Sequence, residues 1–119
     1  MSLQWEQVVV DSADPAALSH WWAEALGWVF VADGPDEYEI RPEPDRMPGL
    51  LFLQVPEAKK GKNRLHLDFR PDDQATEVAR LLALGARRPE QSYGAFSWVT
   101  LQDPEGNEFC VLGGGTPHT

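Results

Sequence analysis

Alternating apolar and polar positions predict strands along this chain, and a helical spacing of apolar residues interrupts them twice. The run from Trp5 to Asp11 is rich in β-branched residues and is typical of a strand. Apolar residues at helical spacing from Pro15 to Leu26 predict a helix with one buried face. Asp14 precedes this helix as a predicted N-cap, and Gly27 follows it as a predicted stop. The chain therefore opens with a strand and a capped helix.

The second half of the chain repeats the order of the first half. The remaining strands of the first half are predicted at Trp28 to Ala32, Glu37 to Arg41 and Leu50 to Val55. The second half is predicted to contain a strand from Arg64 to Arg70, a helix from Asp72 or Asp73 to Leu84 ended by Gly85, and strands at Ala86 to Arg88, Phe96 to Leu101 and Glu108 to Leu112.

This internal repeat predicts the fold class. The two candidate caps Asp14 and Asp73 lie 59 residues apart, and the two stop glycines Gly27 and Gly85 lie 58 apart. We therefore predict an α+β fold in a single domain, with two βαβββ modules at about residues 4–56 and 64–112. The modules are expected to form one half-open curved sheet of eight strands, followed by a mobile tail at residues 113–119.

Composition and charge exclude several classes of partner. The formal net charge of −9 disfavours binding to nucleic acid or to an anionic membrane surface. One cysteine cannot form an internal disulfide, and no apolar run approaches the ~20 residues of a membrane span. The N-terminus also lacks the basic and apolar pattern of a signal peptide, so we expect a cytoplasmic protein.

The only cysteine, Cys110, follows a turn motif in the last predicted strand. Asp103 to Asn107 reads Asp-Pro-Glu-Gly-Asn, in which proline, glycine and the two short polar side chains all favour a turn. The thiol has three interpretations: a nucleophile, which needs a lowered pKa, a metal ligand, or a small apolar core residue. The residues alone leave all three open, and the core residue is the interpretation we favour.

Three motifs resemble a known superfamily. Asp-Pro-Ala-Ala-Leu at 14–18, Arg-Leu-His-Leu-Asp at 64–68 and Asp-Pro-Glu-Gly-Asn at 103–107 are similar to those of the glyoxalase/bleomycin-resistance/dioxygenase group, also called vicinal oxygen chelate. The chain resembles most the bacterial glyoxalase-like domains of unassigned activity. The resemblance extends from Trp5 to Leu112, and it implies a glyoxalase-like barrel, a ligand cavity on the concave sheet face and a homodimer.

The resemblance also implies where a divalent ion would bind. Metal-dependent members use histidine or glutamine on the first strand, glutamate on the fourth, histidine on the fifth and glutamate on the eighth. Gln7 and His66 match two of these places, whereas Leu53 and Cys110 stand at the other two. Hard ions such as Mg²⁺ prefer oxygen ligands, so the hard-ion site is incomplete, although zinc or ferrous iron could accept His66 and Cys110.

Three functional hypotheses follow, and the first is favoured. The first is a metal-free protein that binds a small aromatic or antibiotic-like molecule. The second is a metal-dependent lyase, isomerase or dioxygenase with Gln7 and His66 as ligands. The third is a metal-free enzyme in which His66 and Asp68 form an acid/base pair. The ligand-binding candidates are Trp5, Gln7, His66, Trp98 and Cys110.

Overall fold

The computed structural model describes residues 2–89 and 97–113. The chain divides into two compact units, residues 1–58 and residues 59–119. Each unit contains one helix packed on one face of its own β-sheet. Within the described ranges, neither helix has the length and apolar character that a membrane span requires.

The first unit has four strands and one helix. The strands are β1 (Gln7–Ser12), β2 (Val29–Asp33), β3 (Tyr38–Arg41) and β4 (Gly49–Gln54), and the helix α1 (Pro15–Leu26) follows β1. The sheet order is β1-β4-β3-β2, with β1 parallel to β4 and the other pairs antiparallel. This arrangement is the predicted βαβββ module.

Helix α1 begins and ends at the predicted residues. The Asp14 side chain accepts a hydrogen bond from the Ala17 amide, and Gly27 closes the helix at φ 70°, a left-handed conformation that glycine adopts without strain. The buried side chains of α1 include Leu18 and Trp22, which face the sheet core of β3 and β4. Burial of this apolar stripe stabilises the unit far more than the caps do.

The second unit repeats this topology with one strand fewer. Its elements are β5 (Leu67–Phe69), α2 (Gln74–Leu84), β6 (Val99–Gln102) and β7 (Glu108–Val111). The sheet order is β5-β7-β6, and β5 is parallel to β7 as β1 is to β4. Asp73 caps α2 by accepting from the Thr76 amide, and Gly85 ends it. The internal repeat is therefore present in the strand pairing of both units.

The predicted single sheet of eight strands differs from what the structure contains. The described residues form seven strands in two sheets. The strand predicted at Ala86 to Arg88 is reduced to one antiparallel bridge between Arg87 and Gln102. Pro89 follows this bridge, and its missing N–H cannot extend the ladder. The predicted strand residue Phe96 and the tail from residue 114 onward lie outside the described residues.

The starts of β1 and β5 also differ from the prediction, and both differences involve candidate site residues. Strand β1 begins at Gln7 rather than Trp5, and its ladder with β4 opens with the Gly49 amide donating to the Glu6 carbonyl at 3.0 Å. Strand β5 begins at Leu67 rather than Arg64. Opposite its start, the Glu108 carbonyl already accepts a hydrogen bond from the Asn63 side chain at 3.0 Å. Trp5 and His66 therefore lie just ahead of strands rather than within them.

A buried aspartate closes the hairpin between β6 and β7. Asp103 has no exposed surface. Its Oδ1 accepts hydrogen bonds from the Glu105 and Asn107 amides, both at 2.9 Å, and its Oδ2 accepts one from Asn107 Nδ2 at 2.9 Å. Gly106 completes the turn at φ 88°. These hydrogen bonds satisfy the buried side chain of Asp103, and they fix the register of the two strands.

Replacement of Asp103 by alanine should therefore destabilise the protein strongly. The D103A variant leaves several buried amide donors without an acceptor, so we expect the free energy of unfolding to fall by about 2–4 kcal/mol in urea titrations. Asp36→Ala makes the same change at an exposed turn residue between β2 and β3, and it should shift stability by less than about 0.5 kcal/mol. Equal effects of the two variants would contradict this role of Asp103.

Candidate functional site

The strand register of the second unit gives its sheet one apolar face and one polar face. The apolar face includes Leu101, Phe109 and Val111, all of which are buried. Successive side chains alternate between the faces of a strand, so Cys110 points to the opposite side. Cys110 is paired with Asp68 on β5 and with Thr100 on β6. These pairings place Asp68, Cys110 and Thr100 in one row across the polar face.

His66, Asp68 and Cys110 form a compact group on this face, which we call the thiol cluster. The imidazole Nε2 of His66 lies 3.2 Å from Asp68 Oδ1. The donor atoms of the three side chains all lie within 4.8 Å of one another. The side chains of His66 and Asp68 are 46 % and 42 % exposed, whereas Cys110 is buried. The cluster is thus open to solvent on one side and is supported by the sheet on the other.

The environment of Cys110 favours the protonated thiol. Burial raises the pKa of the Cys110 thiol above its ordinary value, and the neighbouring Asp68 carboxylate raises it further. A hydrogen-bond contact of 3.5 Å between Thr100 Oγ1 and Cys110 Sγ opposes this effect without cancelling it. A nucleophilic cysteine needs the opposite shift, a lowered pKa.

Glu108 is a buried polar residue beside the thiol cluster that the sequence interpretation did not single out. It lies two residues before Cys110 on β7 and is 8 % exposed. Its Oε1 accepts from the Asn63 amide at 3.2 Å, and its Oε2 accepts from Gln102 Nε2 at 3.3 Å. Lys59 Nζ lies 3.8 Å from Oε2. Lys59 and Asn63 both belong to the lysine-rich connector between β4 and β5, residues 56–63, which is therefore bonded to the sheet at two points.

The other candidate residues, two in the first unit and one in the second, have different surroundings. Gln7 is half-buried at the start of β1, and Trp5 ahead of it is 64 % exposed. Trp98, in the second unit, is half-buried two residues before Thr100. The structure groups His66 with Asp68 and Cys110, all within the second unit.

The register also corrects the position predicted for the fourth-strand ligand. Val9 pairs with Leu51 on β4, just as Asp68 pairs with Cys110 on β7. The counterpart of Cys110 is thus Leu51 rather than Leu53. Gln54 donates from Nε2 to the Ala13 carbonyl at 2.9 Å.

Comparison with known proteins identifies the family. The model of the glyoxalase-like domain family matches residues 7–112. The chain belongs to this family. No curated protein matches the sequence of this glyoxalase-like domain.

Solved structures share the fold of this glyoxalase-like domain at low sequence identity. A glyoxalase/bleomycin resistance protein/dioxygenase family enzyme from Burkholderia phytofirmans has a TM-score of 0.71 and 17 % identity, over 92 % of this chain and 97 % of that one. TnmS3, an antibiotic binding protein from a Streptomyces species, has a TM-score of 0.65 and 20 % sequence identity, over 94 % of this chain and 97 % of that one. A bleomycin resistance determinant encoded on transposon Tn5 has a TM-score of 0.63 and 17 % sequence identity, over 96 % of this chain and 100 % of that one.

The side chains of this glyoxalase-like domain do not suit a hard divalent ion. Mg²⁺ and Mn²⁺ prefer several carboxylate or carbonyl oxygens. The places where the resemblance implies glutamate hold an apolar leucine on β4 and the thiol of Cys110 on β7. Asp68 supplies one carboxylate, and Glu108 is already bonded to Asn63 and Gln102. The donor set is that of a softer metal or of a metal-free site.

The Cys110 thiol of this glyoxalase-like domain should react slowly in the folded protein. Because burial raises its pKa and limits access, we expect thiol–disulfide exchange with an aromatic disulfide at neutral pH to be at least about tenfold slower than in the urea-unfolded chain. Absorbance of the released aromatic thiolate gives both rates. Equal rates would contradict the buried, protonated thiol.

The charge of Glu108 should contribute stability that depends on pH. Burial raises the pKa of its carboxyl group, but the Asn63 and Gln102 hydrogen bonds and the nearby lysine charges outweigh this, so its pKa is lowered overall. Because the pKa of Glu108 is lower in the folded than in the unfolded protein, its charge stabilises the fold at pH values above the unfolded-state pKa. This contribution is lost as the pH falls through the folded-state pKa.

The Glu108→Gln variant isolates this contribution. We expect E108Q to be about 1 kcal/mol less stable than the wild type in urea at pH about 7, and the difference to shrink as the pH falls to about 3. Glu57→Gln, at an exposed position of the same connector, should have little effect at either pH. A wild-type advantage over E108Q that is the same at both pH values would contradict this assignment.

Proposed function

We propose that this glyoxalase-like domain binds a small aromatic or antibiotic-like molecule at the polar face of its second unit. The thiol cluster is the observation on which the proposal rests. A ligand site needs a few convergent polar groups above an apolar support. His66 and Asp68 supply half-exposed polar groups, and the sheet behind them is apolar, with Leu101 and Phe109 buried.

The first unit carries different side chains at the equivalent places: no histidine, aspartate or cysteine stands there, and Glu39, which pairs with Leu51, forms an ion pair with Arg41 at 2.7 Å. Gln7, Val9 and Leu51 stand at the places that His66, Asp68 and Cys110 occupy in the second unit. Two of these three are apolar, and Val9 is 47 % exposed. This asymmetry between two copies of one module supports a specific role for the second copy.

Charge and aromatic content indicate the ligand class. The net charge of −9 and the half-exposed Asp68 carboxylate favour a neutral or cationic molecule over an anionic one. Trp98 lies close in sequence to Thr100 of the polar face and offers an aromatic surface for stacking. Two proteins of similar fold, TnmS3 and the Tn5 determinant, are described as antibiotic binding and as conferring bleomycin resistance.

Other parts of the sequence interpretation stay predictions. These are the half-open barrel expected from the two modules, a ligand cavity on its concave face lined also by Trp5 and Gln7, the homodimer, and the cytoplasmic location.

The pairing of His66 with Asp68 supports a second candidate function, that of a metal-free enzyme. An imidazole 3.2 Å from a carboxylate and open to solvent has the arrangement of a general base held by its partner. Asp68→Asn would leave the imidazole in place and remove the negative charge. An activity lost in both Asp68→Asn and His66→Ala would favour the enzyme over the binding protein.

A ligand screen tests the binding proposal. Bleomycin and a panel of neutral and cationic aromatic antibiotics should include a molecule that quenches tryptophan fluorescence and raises Tm by at least about 5 °C at saturation. Asp68→Ala should weaken its binding at least about tenfold. His20→Ala, at a second half-exposed histidine that lies near Asp33 in the first unit, should bind the molecule like the wild type.

The tryptophan signal can be assigned by a matched pair of variants. Trp98→Phe should lose most of the quenching, whereas Trp28→Phe, at a half-buried position of the first unit, should retain it. A panel in which no molecule raises Tm or quenches fluorescence would overturn the proposal, as would quenching that survives in Trp98→Phe and Asp68→Ala alike.

A further inference from the structure

We propose that His66, Asp68 and Cys110 bind a Zn²⁺ ion through one nitrogen, one oxygen and one sulfur, using residues of the second unit alone. The proposal differs from the four-ligand hard-ion site that the resemblance implies, because it uses Asp68 and needs neither Gln7 nor a residue of β4. It also goes beyond the proposed binding of a small molecule and does not depend on it.

The distances in the thiol cluster suit zinc. Zinc lies at about 2.0–2.2 Å from nitrogen and oxygen ligands and at about 2.3 Å from sulfur, which places neighbouring tetrahedral ligands about 3.3–3.6 Å apart. The His66 and Asp68 donor atoms are already 3.2 Å apart. The Cys110 sulfur lies within 4.8 Å of both. Small side-chain rotations therefore suffice to bring all three atoms around one ion.

The sheet holds Asp68 and Cys110 in place, and His66 stands immediately ahead of β5. Asp68 is paired directly with Cys110 across β5 and β7, and His66 stands two residues before Asp68, on the same side of the chain. The Thr100 hydroxyl lies 3.5 Å from the cysteine sulfur, where it can donate to a zinc-bound thiolate. Such outer contacts orient metal ligands and raise affinity.

The chemistry of the donor atoms selects the metal. Thiolate and imidazole prefer Zn²⁺ and related softer ions such as Co²⁺ and Cd²⁺, whereas Mg²⁺ and Ca²⁺ prefer oxygen. Three protein ligands on a half-exposed face leave a fourth coordination position, as in zinc sites that accept an outside ligand. That position would suit a small molecule with an oxygen or nitrogen donor.

Cobalt titration of the untagged protein tests the site directly. We expect binding of one Co²⁺ per chain, with visible bands of tetrahedral cobalt and a thiolate-to-cobalt charge-transfer band in the near ultraviolet. Zn²⁺ should displace the cobalt and raise Tm by at least about 5 °C at saturation, whereas Mg²⁺ should do neither. These readouts use the metal alone, so they are independent of any small-molecule ligand.

Variants assign the ligands. Cys110→Ser should abolish the charge-transfer band, and His66→Ala and Asp68→Ala should each weaken cobalt binding at least about tenfold. The side chains at 66 and 68 are half-exposed, so these two variants remain informative even if Cys110→Ser fails to fold. Gln7→Ala should leave binding unchanged, and so should His20→Ala, at a histidine that stands near Asp33 without a cysteine.

Three results would overturn the proposal. The first is the absence of a charge-transfer band in the wild-type titration. The second is equal cobalt affinity in His66→Ala and the wild type. The third is loss of binding in Gln7→Ala, which would place the ion at the four-ligand position of the resemblance instead.

Discussion

The pairing of β7 with both of its neighbours is the constraint on which the second unit depends. The strand is parallel to β5 and antiparallel to β6, so Cys110 is fixed opposite Asp68 on one side and Thr100 on the other. A shift of one residue would turn Cys110 into the apolar core and bring Phe109 to the polar face. The buried Asp103 carboxylate prevents that shift, because the turn it organises sets where β7 begins.

The two units share one strand arrangement but carry different side chains at equivalent positions. In the first unit the pairing of β1 with β4 brings together Val9 and Leu51. In the second unit the equivalent pairing brings a carboxylate next to a thiol, with the imidazole of His66 beside them. Both helices cover the apolar faces of their sheets, so the opposite faces are free to differ without loss of the core. One face of each sheet stabilises the fold, and the opposite face carries the variable polar side chains. This division explains how one scaffold can host several functions.

Local signals predicted most of the fold, and non-local contacts account for the errors. The helix ends at Asp14, Gly27, Asp73 and Gly85 follow from capping rules that involve only neighbouring residues. Strand ends depend on partners far along the chain, such as the Asn63 side chain bonded to Glu108, and no periodicity reveals them. The pairing of His66 with Asp68 was predictable from their spacing, whereas the inclusion of Cys110 with Asp68 required the register of β5 on β7.

The central claim is that a sulfur atom at position 110 converts the second unit into a site for a softer metal ion. X-ray absorption at the zinc edge of the one-to-one complex tests this claim most directly, because it reports the atoms bound to the metal. The account predicts one sulfur at about 2.3 Å together with nitrogen and oxygen at about 2.0–2.2 Å. A spectrum with only nitrogen and oxygen neighbours would contradict it, because Cys110 would then be a core residue that takes no part in binding.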